Sequence, residues 1–416
     1  MAAAVFGCAV GENEAVTDAA SSAVLSAREK QAAEAVLTRV GGERAQVGAA
    51  ERIWDRDRVL RLELADGRSV VLKRRGDQED DAGDRSFEAE LAALDLLNGM
   101  PVPVAPRLLG ADEMAGILLM EDLGQGVSLA DSLLTGARER AEADLIAYAR
   151  ALGSMHAWSM RCVPGPGSPA GPEAHPATER DPGWLTAITN GKEPFLAAAA
   201  RMGLPSDGVA SEIDQIPVTL RESGNLGLVH DDPCPDNVLL FDGACRIFDF
   251  ETSGWGPVVL DAAYLLAPFP SCWCFANLPA EVAAPAVDAY RETLDAAGIG
   301  LGTNWDAGVA AALAGWIVAR GRGLTEVLDE DELWGTTTMR PRLLAWLRNF
   351  IDFTDRARGS GALPRLRAIL GEMHDQLSSR WPEVRVPEYP ALARPGSQPV
   401  PVPDWWPPRP GQKMDP

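Results

Sequence analysis

Apolar positions change their spacing along this chain, and the changes divide it. Residues 27–40 read as a helix stopped by Gly41-Gly42. From Arg58 the period becomes two. Leu60, Leu62 and Leu64 alternate with Arg61 and Glu63, the pattern of a half-buried strand. Asp66-Gly67 is a hairpin signal, and residues 69–74 form the returning strand. A charged loop over 76–85 leads to a helix expected over 87–97, which three prolines within 100–107 bring to an end. Residues 117–120 make a short apolar strand, and Glu121-Asp122-Leu123-Gly124 reads as a connector.

Beyond Gly124 the pattern is mainly helical. One long amphipathic helix is expected over 141–158, and others near 280–300, 306–320, 340–356 and 363–379. Residues 163–183 hold six prolines and read as a long loop, expected to act as a flap over an acceptor site. Residues 226–250 form a compact strand–loop–hairpin unit, and ten prolines over 387–416 with Trp405-Trp406 give an extended tail. The expected organisation is a helical extension (1–40), a strand-rich lobe (41–123), a helical lobe (124–386) and the tail (387–416).

A length of 416 residues is enough for two lobes, each with its own core. The net charge of −22 argues against a general nucleic-acid binder or a protein held on anionic lipid, since both need basic surface. No apolar run approaches the ~20 residues of a membrane span, and the short apolar start lacks the basic flank of a secretory signal. The six cysteines show no framework spacing. Cys272-Trp273-Cys274 has no second Cys or His pair to complete a metal site, so packed thiols in a reduced cytoplasm are expected.

The chemistry concentrates in His230-Asp231-Asp232-Pro233-Cys234-Pro235-Asp236-Asn237 and in Asp249-Phe250-Glu251. Val229 ends an apolar strand, so the acidic loop emerges from a core. Residues 238–241 and 245–248 are apolar runs joined through Asp242-Gly243, another hairpin signal. The open ends of a hairpin lie side by side, which brings Asn237 and Asp249 together. An amide oxygen beside a carboxylate is a hard oxygen site suited to magnesium and phosphate oxygens. Asp232 on the same loop is then placed to take a proton from a hydroxyl, as phosphoryl transfer requires. Lys73 ends an apolar strand, and Glu90 falls within the apolar arc of Phe87, Leu91, Leu94 and Leu97. A buried acid needs a partner, and Lys73 is the obvious one.

These residues resemble the aminoglycoside phosphotransferase and choline kinase family, small-molecule kinases of the protein-kinase-like fold. The family's H-G-D-x-x-x-x-N and D-[FW]-E motifs stand here as His230 to Asn237 and Asp249 to Glu251, and the resemblance covers roughly residues 40–385. It implies an α+β, two-lobed fold with a small β-rich N-lobe and a large helical C-lobe. It implies Asp232 as catalytic base, Asn237 and Asp249 as magnesium ligands, and Lys73 paired with Glu90 on the phosphates of ATP or GTP. Backbone groups around Glu121 to Leu123 would hold the purine, and Asp261 would orient the catalytic loop, with His230 bracing it. Two features depart from the family. Asp231 stands where Gly is usual, and no glycine-rich phosphate loop is present, so the nucleotide loop is expected within 49–58.

The expected activity is O-phosphorylation of a small molecule. Only eleven residues separate Asp249 from Asp261, which leaves little room for the peptide-docking segment of a protein kinase. Antibiotic inactivation and metabolism of a sugar or amino alcohol remain the two alternatives, with a non-catalytic nucleotide-binding protein a third. Crowding of Asp231, Asp232, Asp236, Asp249 and Glu251 suggests a cationic acceptor.

Overall fold

The alternating segment closes into a five-stranded antiparallel sheet in the computed structural model. The structure describes residues 24–53, 57–76, 81–162, 181–241, 244–357 and 363–402. Strands β1 (Val47–Arg52), β2 (Val59–Leu64), β3 (Ser69–Arg74), β4 (Leu108–Asp112) and β5 (Ile117–Glu121) lie in the order β1-β2-β3-β5-β4. Leu60, Leu62, Leu64, Val70, Leu72, Ile117 and Leu119 turn to one face, where they pack on Ala33, Val36 and Leu37 of α1 (Ala27–Gly41). That helix begins with a Ser26–Glu29 capping box and ends on Gly42 at φ 72°, a left-handed turn suited to glycine. Its apolar stripe makes it the cover of the small lobe's sheet. The other face presents Leu118 and Met120 to Phe87, Leu94 and Leu97 of α2 (Asp81–Asn98), and this layer runs on into the core of the larger lobe.

The larger lobe begins with β6 (Val127–Ser128), α3 (Leu129–Thr135) and the long α4 (Arg138–Cys162). Next come α5 (Gly183–Arg201) and α6 (Val209–Glu222), each with an internal proline, Pro194 and Pro217. The strand unit follows as β7 (Leu226–Val229), β8 (Val238–Phe241), β9 (Ala244–Ile247) and β10 (Gly254–Pro257), ahead of the short α7 (Val259–Ala262). Then come α8 (Ala280–Ala296), α9 (Trp305–Ala319) and α10 (Gly321–Asp329). The ribbon β11 (Leu333–Trp334) and β12 (Thr337–Thr338) precedes α11 (Met339–Arg356) and α12 (Pro364–Arg380).

Helix α9 is buried on every side over most of its length and forms the spine of this lobe. Gly191 of α5 lets it lie directly against α9, because a Cβ there would stand 2.0 Å from the Val318 carbonyl oxygen. Tyr389, Leu392 and Val400 are buried, so the proline-rich tail lies against the body as far as Val400. The expected flap residues 163–180, the loop residues 54–56, the turn Asp242-Gly243 and Trp405-Trp406 lie outside the described residues. The architecture is the α+β, two-lobed, protein-kinase-like fold. No helix among the described residues is long and apolar enough to cross a membrane.

One expectation needs correcting. Cys272 is not a packed thiol but is joined to Cys234 in a disulfide, whereas Cys274 is a buried free thiol. The Cα atoms of Cys234 and Cys272 lie 5.8 Å apart across 38 positions of sequence, and only the tertiary fold brings them together.

Candidate active site between the lobes

Strand β7 pairs antiparallel with β10 and releases the chain at Val229, where the acidic loop begins. His230 is fully buried. Its Nε2 lies 3.0 Å from the Phe248 carbonyl, and its Nδ1 lies 3.3 Å from the amide of Asp232. The carbonyl requires a proton on Nε2 and the amide requires a lone pair on Nδ1, so the ring is the neutral Nε2–H tautomer. Burial lowers its pKa and keeps it so. The side chain braces the loop against the hairpin.

Asp261 holds the same loop from beneath. Its carboxylate accepts the amides of His230 at 2.7 Å and Asp231 at 3.0 Å. The loop's carbonyls are bonded as well: His230 by Thr252 Oγ1, Asp231 by Trp184 Nε1, Asp232 by Asn237 Nδ2 and Pro233 by the Tyr148 hydroxyl. A segment without regular structure is thereby fixed by side chains from five elements or turns.

Asp231 adopts φ 71°, which explains why glycine suits this position in the resembling family. Here an aspartate tolerates the left-handed backbone, and its carboxylate turns toward the Trp184 amide at the start of α5. It is 5% exposed, and burial raises its pKa well above the usual carboxylate range. Asp236 is engaged too, accepting Trp273 Nε1 at 2.8 Å. The expectation that Asp231 lines an acidic mouth for a cationic acceptor is corrected by its burial, whereas Asp236 is half-buried. Asp231 is a brace inside the fold.

Asp232 behaves differently. Its Oδ1 accepts the Ser271 hydroxyl at 2.6 Å, while Oδ2 has no partner among the described residues. Burial raises its carboxyl to about 7, against the pull of the Ser271 hydrogen bond. An aspartate with one anchored oxygen and one unoccupied oxygen is suited to accept a proton.

The hairpin of β8 and β9 pairs Val238 with Ile247, and the Phe248 amide bonds the Asn237 carbonyl at 3.0 Å. Asn237 and Asp249 therefore flank the open end. Across the cleft Lys73 leaves β3, 8% exposed, and meets Glu90 of α2 at 2.6 Å, Asp249, and Glu251 at 3.1 Å. Burial alone would lower the lysine's pKa, but the three carboxylates outweigh it and hold the ammonium charged. Burial raises Glu90 in turn. The structure thus brings Lys73, Glu90, Asp249 and Glu251 together, with Asp232 and Asn237 on the adjoining loop.

A cavity of about 280 Å³ opens above this cluster, lined by Val71, Met120, Glu121, Leu123, Leu239 and Phe248 among others. Apolar walls with charge at one end suit a planar ring bearing a charged tail. Three lining residues had no assigned role, two of them, Arg61 and Arg58, lying outside the motifs and Glu251 within one. Arg61 ties β2 to the connector through Asp122 at 2.7 Å, Arg58 lies 3.7 Å from Glu251, and Glu251 itself joins Lys73. Alternation on β2 puts Arg61 on the side opposite Leu60 and Leu62, and that was the available signal. Ser271 sits in a loop whose sequence carries none.

Among solved structures, the chain resembles a putative fructosamine-3-kinase from Thermobifida fusca YX-ER1. The two are 21% identical over 71% of this chain and 95% of that one, with a TM-score of 0.44. A choline/ethanolamine kinase family protein from Mesorhizobium loti is 16% identical over 82% and 98% of the two chains, with a TM-score of 0.43. A putative aminoglycoside phosphotransferase from Ralstonia eutropha JMP134 is 16% identical over 84% and 98%, with a TM-score of 0.45. No curated protein matches. The model of the phosphotransferase enzyme family matches residues 50–300, which span β1 to α8 and every residue of the cleft cluster, and the chain belongs to that family.

Proposed function

We propose that this chain is an O-phosphotransferase that moves the terminal phosphoryl group of ATP or GTP to a hydroxyl of a small molecule. The observation that carries the reading is the convergence at Lys73. A cation from the small lobe and Asp249 and Glu251 from the large lobe meet at one end of an apolar cleft, beside the loop bearing Asp232. The short chain between Asp249 and Asp261 favours a small acceptor over a peptide.

The residues fit magnesium. Asp249 and Asn237 offer hard oxygen ligands, and Glu90, Asp249 and Glu251 place their oxygens within 4.8 Å of one another around a single lysine. Three carboxylates against one ammonium leave room for a divalent charge. A bound magnesium ion would neutralise phosphate oxygens. Lys73, steadied by Glu90, would hold the nucleotide phosphates, and backbone groups of Glu121 and Leu123 would border the purine. Asp232 Oδ2 would take the proton of the acceptor hydroxyl as the hydroxyl oxygen bonds to the terminal phosphorus. The bond from phosphorus to the bridging oxygen breaks, and a nucleoside diphosphate leaves.

A nucleotide-consumption screen over aminoglycosides, nucleoside and peptide antibiotics, sugars and amino alcohols identifies the acceptor and separates antibiotic inactivation from metabolism. With that acceptor, Asp232→Asn should lower kcat by about 10²–10⁴-fold and leave nucleotide binding nearly intact. Near-normal turnover would remove Asp232 as the base, and no consumption with any acceptor would remove the reading.

A further inference from the structure

The catalytic loop leaves one question of geometry open: what fixes the rotation of the Asp232 carboxylate. The segment between α7 and α8 provides the candidate group. Ser271 Oγ stands 2.6 Å from Asp232 Oδ1 and 2.8 Å from the hydroxyl of Tyr264, which is fully buried. A serine hydroxyl has one proton. If it donates that proton to the carboxylate, the 2.8 Å contact needs the Tyr264 hydroxyl as its donor; the phenol's other acceptor, the Asp231 carbonyl, is farther at 3.3 Å and is already served by Trp184 Nε1. Burial raises the Tyr264 pKa well above the usual value, so the phenol keeps the proton that this chain requires. The direction runs one way, from Tyr264 to Ser271 to Asp232, and each link polarises the next.

The competing neighbour cannot donate. Cys234 Sγ lies 3.1 Å from the same Oδ1, but it is bonded to Cys272 and carries no proton. Ser271 is therefore the sole side-chain donor to Asp232 among the described residues. The same disulfide joins the residue after Ser271 to the residue two beyond Asp232, so the donor's backbone is fastened to the loop it serves.

We infer that Ser271, backed by Tyr264, is a positioning residue for phosphoryl transfer: it ties down Asp232 Oδ1 and leaves Oδ2 aimed at the acceptor hydroxyl. Nothing in this role touches nucleotide, magnesium or acceptor directly. The inference rests on the reading of Asp232 as the base, and the two can fail separately.

The test is a double-mutant cycle on kcat with the acceptor that the screen identifies. Ser271→Ala should lower kcat by about ten- to a hundredfold, the range for losing a hydrogen bond to a charged group, with KM for nucleotide unchanged. Ser271→Thr, which restores a hydroxyl, should recover most of the loss. In an Asp232→Asn background, Ser271→Ala should cost little more, because the base it orients is already gone. Tyr264→Phe keeps every carbon and should reproduce a smaller part of the loss, which preserves the test if Ser271→Ala folds poorly. Wild-type kcat in both Ser271→Ala and Tyr264→Phe would overturn the inference. So would a full Ser271→Ala loss that persists in Asp232→Asn, since that would mark a structural role. If Asp232→Asn alone keeps wild-type turnover, the reading of the base falls first and takes the inference with it.

Discussion

Asp249 meets two demands with one carboxylate. It neutralises Lys73 in the cleft as it stands, and under the proposed function it also ligates magnesium beside Asn237. Its φ of 68° places the side chain across the hairpin's end, a backbone conformation that aspartate tolerates better than most residues. Asp249→Asn keeps the shape and removes the charge, so the magnesium concentration for half-maximal activity should rise about tenfold or more. A titration superimposable on wild type would take Asp249 out of the metal site. The placement of Asp232, Asn237 and Asp249 is legible in the sequence because a two-strand hairpin is local and its register follows from its turn. Ser271 reaches Asp232 across 39 positions, and no period or turn signal encodes such a contact. Glu251 stands in the motif, yet its bond to Lys73 depends on how the lobes meet.

Among the elements, α1 shows how a helix is fastened as well as packed. Arg74, at the end of β3, binds Glu29 in its first turn and the Val24 carbonyl just before it. Burial works to raise the Glu29 carboxyl, but hydrogen bonds from Arg74 and Ser26 outweigh it and hold it down to about 2. A carboxylate whose pKa is depressed on folding stabilises fully above its unfolded value and loses that contribution as pH falls toward the folded one. Glu29→Gln should therefore be less stable than wild type at pH 7, by about 2 kcal/mol. The gap should close between about pH 4.5 and pH 2, the unfolded and folded values. A gap independent of pH would show that the charge contributes nothing.

Helix α11 fastens the segment behind the active site in a similar way. Arg342, fully buried, donates to the carbonyls of Cys272 at 2.8 Å, Trp273 at 3.1 Å and Trp334 at 2.8 Å. Arg342→Ala removes a donor from each of these carbonyls, of which Trp273 keeps the Thr336 amide and hydroxyl, and opens a cavity, so unfolding should be easier by about 3–5 kcal/mol. A melting temperature equal to wild type would contradict this. Elements such as α1, β2, β3 and α4 are legible because their apolar residues keep one period over several turns or strand positions. By contrast β1, with sequence VGAAER, has no alternation to read, and α5 and α6 hide behind internal prolines. Packing against α9 sustains them.

For the whole molecule, two lobes meet at a cleft where one lysine answers three carboxylates, with one core under α1 and another that runs from α2 into the helical lobe. That architecture follows from the switch of period near Gly124, which is why it can be read from the sequence. The disulfide cannot be read there, because composition points to a reduced protein and the partners lie 38 positions apart. Closing a loop of that length stabilises by about 4 kcal/mol through the unfolded chain. Under the roles proposed for Asp232 and Ser271 it would also act on the chemistry, since Cys272 is the neighbour of Ser271. A dithiol reductant takes up the bond by forming its own disulfide and leaves two thiols, freeing the strap that carries Ser271 and giving Cys234 a proton to offer Asp232. Wild-type kcat should fall on reduction and return on reoxidation, while Ser271→Ala should respond much less. Equal kcat in both states would show that the strap holds without its bond. Two preparations of one sequence, handled with and without thiol, would then behave as two enzymes, and an assay buffer would set the turnover number as surely as a mutation.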